Sequence, residues 1–325
     1  MVRTTLLIFA LSVVAVHSNG IAGPLSQDFQ TWLKSNGYDT DNFVRSDYGT
    51  QGSYGGFDAS SNKAVNTPVV FIHGNSDAAL KYSSTATGWS NSVEYFLSKG
   101  YTNAELYATS WQDTNVLKAS TRTHNCFDLT RLRRFLEAVL SYTKAPKISL
   151  ITHSMGVTLG RKIIKGGTVK ASDGNCDLGP TINDKIEVFL GLAGANYGLC
   201  NCEGGSATLE KTCNRENGLW PGDSCGFNYL TCGLNPLLYP CSSVTYSSFL
   251  TTMNTDNIKE ADHVFSAWSH SDNVIEYNDM TWGKPTSLIP NSDGKKVYLT
   301  YTHMETKELT AEDQFTMVKN KIVPQ

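Results

Sequence analysis

Six short apolar runs, separated by stretches of helical periodicity, constrain this chain more than any other feature. They are Pro68-Val69-Val70-Phe71-Ile72, Ala104-Glu105-Leu106-Tyr107-Ala108, Lys147-Ile148-Ser149-Leu150-Ile151, Ile186-Glu187-Val188-Phe189-Leu190-Gly191-Leu192, His263-Val264-Phe265-Ser266-Ala267 and Lys296-Val297-Tyr298-Leu299-Thr300. Runs that stay apolar without strict alternation predict strands buried on both faces, and such strands belong to parallel sheets whose crossovers are helices. The intervening stretches supply those helices. Residues 90–99 stop at Gly100. In 128–142, Leu129, Leu132, Phe135, Leu136, Val139 and Leu140 recur at steps of three and four, and another helix covers about 156–165. A last helix opens at Thr310-Ala311-Glu312-Asp313, where the Thr hydroxyl and the Asp carboxylate can satisfy free backbone N–H groups. The expected fold class is α/β, a mostly parallel sheet with helices on both faces.

With 325 residues, 40% of them hydrophobic, the chain can bury a large core, which excludes disorder and fibrous repeats. Length alone allows one large domain or two smaller ones. The net charge is −3, with no run of Lys or Arg, so a partner held by phosphate neutralisation, and nucleic acid with it, is not expected. Residues 19–64 are rich in Gly, Asn, Asp and Ser and read as a segment wrapped on the surface, with one short helix near residues 28–33.

The start of the chain reads as a targeting segment. Arg3 precedes the apolar stretch 6–16, and Val16-His17-Ser18 is a small-residue cleavage pattern, so residues 1–18 are expected to be a signal peptide and Asn19 the mature start. An uncleaved membrane anchor is the alternative, though the run is short for a bilayer, and no later stretch is long and apolar enough to span. Loss of residues 1–18 removes one Arg and no acid, leaving 26 basic against 30 acidic residues. A secreted, extracellular chain lives in an oxidising compartment. The eight cysteines, Cys126, Cys176, Cys200, Cys202, Cys213, Cys225, Cys232 and Cys241, are then expected to form four disulfides of undetermined connectivity. Metal binding through Cys200-x-Cys202 is the competing reading. Six of the eight lie between 200 and 241, which marks 199–241 as a stapled insertion into a single domain, 19–325.

The third apolar run ends in Ile151-Thr152-His153-Ser154-Met155-Gly156 and hands over to a helix. A hydroxyl is a poor nucleophile until a base takes its proton, and a tight strand-to-helix turn lifts its oxygen above the sheet toward such a base. Gly156 supplies the tiny neighbour the turn needs; Thr152 stands where Gly is usual. Ser154 could instead be an ordinary N-cap. The first run ends in His73-Gly74-Asn75-Ser76, a turn whose free N–H groups can face the same sheet edge. The N–H groups of Asn75 and Met155 are therefore the candidate pair for stabilising an acyl-transfer oxyanion.

With these pieces in order, the sequence resembles the α/β-hydrolase superfamily, and within it the class 2 triacylglycerol lipases and their secreted animal relatives. The matching segments also include Leu106-Tyr107-Ala108-Thr109-Ser110-Trp111, Leu192-Ala193-Gly194-Ala195-Asn196-Tyr197-Gly198, Ser271-Asp272-Asn273-Val274-Ile275 and Thr302-His303, spanning about residues 66–305. The resemblance implies an esterase or lipase with a Ser-Asp-His triad and no cofactor. Its order of nucleophile, acid and base leaves only residues beyond Ser154 for the last two. His303, just past the last strand, is the candidate base, with His270 second; His263, at a strand start, reads as structural. Asp272 is the candidate acid, with Asp262 and Asp279 as alternatives. His73 and His153 flank the two turns and read as braces. No His-Glu-x-x-His or phosphate-loop spacing occurs.

The insertion carries Trp220, Phe227, Tyr229, Leu230, Leu237, Leu238 and Tyr239. It is either a cap whose apolar face shapes an acyl pocket and rests on a lipid surface, or a loop folded on its own cluster. The expected activity is hydrolysis of acylglycerol esters, the partner a lipid ester at a lipid–water interface. A short-chain carboxylesterase and a non-catalytic lipid- or protein-binding module are the rivals.

Overall fold

Every one of the six apolar runs forms a strand, and a seventh, unexpected one joins them. The computed structural model describes residues 20–204, 206–224, 232–234 and 244–325. In chain order the central strands are β1 (Ser53–Tyr54), β2 (Val69–Ile72), β3 (Leu106–Thr109), β4 (Ile148–His153), β5 (Ile186–Leu192), β6 (His263–Ser269) and β7 (Gly294–Tyr298). They lie side by side as β1, β3, β2, β4, β5, β6, β7. All pairs are parallel except β1 with β3. Parallel neighbours require a crossover between strands, and helices provide it except between β6 and β7, where a 3-10 turn, Tyr277–Asp279, and a short hairpin, Met280–Thr281 with Lys284–Pro285, make the connection.

Both faces of the sheet are covered, which is why the runs carry no polar alternation. Val70 and Ile72 face a layer containing α1 (Gln27–Ser35), α3 (Cys126–Thr143), α4 (Met155–Lys165) and the helix Ser248–Thr255. Their neighbours Val69 and Phe71 face the other way, onto α2 (Ser90–Ser98) and the C-terminal Met317 and Val318. Fully burying one such side chain contributes about 1.5–3 kcal/mol, so each layer holds the sheet tightly. Among the described residues no helix is long and apolar enough to cross a membrane.

Three expectations need correction or placement. The segment after residue 19 does more than wrap the surface: Leu25, Phe29, Leu33 and Phe43 are buried in the core, and β1 caps the sheet edge. Polar composition concealed these few anchors. Thr310 does not cap the last helix (Ala311–Phe315); its hydroxyl turns back to donate to the Thr306 carbonyl at 2.7 Å. The cysteines form Cys126–Cys176, Cys200–Cys232 and Cys202–Cys213, which takes Cys200 and Cys202 out of any metal site. Cys225 and Cys241 lie outside the described residues, as do residues 1–18, Asn19, and the insertion aromatics Phe227, Tyr229 and Tyr239 with Leu230, Leu237 and Leu238.

Candidate active site

Parallel strands in register end together, so the loops that follow them share one rim. Ile72 pairs with Thr152, His153 with Leu192, Leu192 with Ala267, and Ser269 with Tyr298. The turn 73–76 follows β2, Ser154 follows β4, Asp272 follows β6 and His303 follows β7. All five predicted site residues therefore stand at the C-terminal rim, where open α/β sheets bind ligands.

Ser154 occupies a backbone conformation that L-residues avoid, φ 55° and ψ −130°. Such a conformation costs about 1–3 kcal/mol and persists only where the surroundings enforce it. Here the Ser154 N–H donates to the Leu192 carbonyl and its carbonyl accepts from Val157, both at 2.9 Å. The side chain makes no cap hydrogen bond, so the N-cap reading of Ser154 fails. Two glycines let the turns interlock: a Cβ at Gly156 would stand 2.4 Å from the His73 carbonyl oxygen, and one at Gly74 would stand 2.7 Å from the Ser154 Cβ. Thr152 is accommodated because the facing helix carries Gly160, where an added Cβ would come within 2.9 Å of the Thr152 methyl. The Thr152 hydroxyl finds the Leu190 carbonyl at 2.9 Å.

The N–H groups of Asn75 and Met155 flank this contact, and neither donates to an acceptor among the described residues. Met155 opens α4, where the first N–H groups have no intrahelical acceptor and the helix dipole favours negative charge.

The Asp272 and His303 side chains meet directly. His303 Nδ1 lies 2.7 Å from Asp272 Oδ2, with both residues 4% exposed. The other carboxylate oxygen accepts the N–H groups of Val274 and Ile275, each at 2.8 Å. Burial pushes the Asp272 carboxyl up, but the His303 imidazole and these two N–H groups outweigh it and hold it below the usual range. With Nδ1 engaged, Nε2 is the nitrogen of His303 left for proton transfer. Asn273 fixes the loop by accepting the His303 N–H at 3.0 Å. No hydrogen bond joins the Ser154 hydroxyl to His303; His153 makes the connection between their loops. Its Nε2–H donates to the His303 carbonyl at 3.0 Å and the two rings lie 4.6 Å apart.

The alternatives fall elsewhere. Asp279 is buried against Ser287, whose hydroxyl and N–H both donate to it. Asp262 pairs with Lys147, His270 is exposed, and His263 sits at the far, N-terminal end of β6. His73 is a brace, as expected: Nδ1–H donates to the Gly74 carbonyl at 2.7 Å, Nε2 accepts the Trp111 N–H at 3.0 Å, and the ring stacks on Trp111. Burial lowers its pKa to about 4, so it stays neutral.

Sequence reasoning missed three residues that support the turn 73–77. Asp77 and Lys307 form an ion pair at 2.5 Å, both side chains at most 3% exposed, tying the turn to the short helix Glu305–Glu308 just past His303. Burial raises the Asp77 carboxyl, yet the Lys307 ammonium keeps it below its ordinary range. Arg122 is buried and grips Asn75 and Ser76 from the other side. No motif or periodicity links positions so far apart in the chain, and a Lys among acidic helix residues reads as a solvated face.

The family model "Lipase (class 2)" matches residues 66–316. Among solved structures, the chain is similar to lipase B of Aspergillus fumigatus at 9% identity, covering 82% of this chain and 56% of that one with a TM-score of 0.48. It is similar to the mature lipase BlEst2 of Bacillus licheniformis at 12% identity, covering 81% and 96% with a TM-score of 0.46. A third is the mouse alpha/beta hydrolase domain-containing protein 10, at 14% identity, covering 80% and 90% with a TM-score of 0.43. The chain thus spans little more than half the length of the Aspergillus protein.

Proposed function

The chain belongs to the class 2 lipase family, a family of carboxylic ester hydrolases, and from that premise we propose that it is a secreted serine hydrolase cleaving acylglycerol esters through Ser154, Asp272 and His303. The Ser154 hydroxyl attacks the ester carbonyl while His303 Nε2 takes its proton. The carbonyl oxygen becomes an oxyanion between the N–H groups of Asn75 and Met155, where a lost donor costs about 2.7–4 kcal/mol in comparable sites. The tetrahedral intermediate expels the alcohol, which receives the proton back from His303, and leaves an acyl ester on Ser154. Water then repeats the sequence and releases the acid. Asp272 holds the Nδ1 proton throughout and stabilises the imidazolium without itself being protonated.

One observation carries this reading: the buried Asp272–His303 hydrogen bond of 2.7 Å shares a sheet rim with a serine held at positive φ and left uncapped. The test is hydrolysis of nitrophenyl esters of increasing chain length and of emulsified triacylglycerol, with Ser154→Ala as control. Turnover that rises with chain length and jumps once the ester aggregates supports the lipase reading. Preference for short soluble esters with no jump replaces it with a carboxylesterase.

Residues 1–18 act as the signal peptide in this proposal, and 19–325 form one domain carrying the insertion 199–241 as a cap beside the site. The three disulfides among the described residues fit an oxidising compartment. N-terminal sequencing of protein recovered from the medium should begin at Asn19; an intact Met1 in a membrane fraction would refute the cleavage.

A further inference from the structure

The turn that carries Asn75 is held by a buried guanidinium that no motif announces. The Arg122 side chain is 3% exposed. Its Nη1 donates to Asn75 Oδ1 at 2.7 Å and to the Ser76 hydroxyl, and its Nη2 donates to Asp113 Oδ1 at 2.5 Å and to the Asn115 carbonyl at 3.0 Å. Burying an arginine is costly unless its donors are matched, and here four hydrogen bonds serve one turn and the segment beside it. The Asn75 amide is fixed at both ends, because its Nδ2 also donates to the Ala119 carbonyl at 2.9 Å. The peptide that bears the Asn75 N–H is held on its other side by His73, whose Nδ1–H donates to the Gly74 carbonyl at 2.7 Å, so the Arg122 contacts fix the Asn75 end of the same turn. Ser76, next in the chain, sits at φ 63°, a conformation that relaxes unless something holds it. A charge-assisted bond to its hydroxyl is a suitable restraint.

We propose that Arg122 is the positioning residue of the oxyanion site: it does not touch the substrate, but sets the direction of the Asn75 N–H through the Asn75 and Ser76 side chains. This deepens the hydrolase reading and rests on it. A lysine cannot replace it, because a single ammonium cannot span Asn75, Ser76, Asp113 and Asn115 at once. The support reaches back into the cysteine-rich insertion as well. The Thr212 hydroxyl lies 2.6 Å from the Arg122 carbonyl and 2.8 Å from the Ala119 carbonyl, and its neighbour Cys213 is bridged to Cys202. The insertion therefore braces the arginine from behind, independently of any role it has over the substrate.

The experiment compares Arg122→Gln, Arg122→Lys and Asp113→Asn with wild-type protein on a soluble ester, and measures inhibition by a trifluoromethyl ketone that forms the tetrahedral adduct. For Arg122→Gln, kcat should fall about 100-fold with KM little changed, the loss expected when a reacting group is misplaced by about an ångström. Ketone affinity should fall in step with kcat/KM, because both depend on the same oxyanion donors. Arg122→Lys should recover only a minor part of the rate, and millimolar guanidinium should partly rescue Arg122→Gln. Asp113→Asn leaves the guanidinium in place with one anchor weakened, so it reports even if both Arg122 variants misfold, with a smaller fall in kcat and a parallel fall in ketone affinity. Wild-type kcat and ketone affinity in a folded Arg122→Gln, or in Asp113→Asn when the Arg122 variants misfold, would overturn the proposal. So would a loss that tracks melting temperature alone and is not rescued by guanidinium. Absence of ester hydrolysis in the wild-type protein would instead overturn the hydrolase reading, and this assignment with it.

Discussion

A Cβ at Gly74 would stand 2.7 Å from the Cβ of Ser154, so the turn after β2 and the turn after β4 touch at a point with no room for a side chain. Real Cβ atoms do not approach that closely, and substitution must push one turn away from the other. If Asn75 and Met155 form the oxyanion site between these turns, their spacing depends on this contact. Gly74→Ala should lower kcat about 100-fold on a soluble ester with little change in KM. Steady-state kinetics beside a melting curve check this; unchanged kcat in a folded variant would separate Gly74 from the chemistry.

Asp272 accepts the Nδ1 proton of His303 and two backbone N–H groups besides. In Asp272→Asn the amide can no longer stabilise the imidazolium and favours the wrong tautomer. The kcat should fall by about 10⁴-fold, as in serine hydrolases with this triad, with substrate binding retained. Pre-steady-state kinetics should place the loss in acylation. A loss below tenfold would remove Asp272 from the triad.

The fold was legible because its strongest signals are physical and local. Continuous apolar runs at 69–72, 148–151 and 186–192 mark strands covered on both faces, and the observed strands agree with them to within a residue or two. The sharp turn at Ser154 was legible because a buried strand runs straight into Gly156 and a helix. The supports around it were not. Arg122, Asp77 and Lys307 act through partners 46, 47 and 230 positions away, and nothing in their own neighbourhoods signals burial. The two-residue β1 and the anchors Phe29 and Phe43 were missed for a related reason: a polar segment that buries a few large side chains has no period to read.

Stability should fall in mild acid. His73 and His124 are both buried, and burial lowers each pKa from 6.5 to about 4. His124 donates Nδ1–H to the Asn217 carbonyl at 2.8 Å and stacks on Phe249, with no carboxylate partner to favour its charged form. Between pH 6.5 and 4 the unfolded chain takes up protons that the folded chain refuses. The stabilisation is therefore complete above pH 6.5 and is lost as pH falls toward 4, by about 2 kcal/mol per histidine between pH 7 and pH 5. Urea titrations at several pH values should show this slope, and a folded His124→Gln should show a shallower one. A flat stability profile from pH 7 to 5 would contradict it.

Cys126–Cys176 closes a 50-residue separation and ties the start of α3 to a hairpin, Thr168–Ala171 with Gly174–Asp177, that carries no site residue. Replacing both cysteines with Ala should cost about 2–4 kcal/mol in denaturant titrations. The kcat of the protein that remains folded should stay near wild type, and a large drop there would mean that the bridge also shapes the site.

In the proposed mechanism His303 makes Ser154 nucleophilic. The direct measurement is to react the protein with a fluorophosphonate and locate the adduct by mass spectrometry. The expected result is one adduct, on the peptide containing Ser154, formed rapidly in wild type, absent in Ser154→Ala and strongly slowed in a folded His303→Ala. Labelling that persists in Ser154→Ala, or proceeds at the wild-type rate without His303, would contradict it.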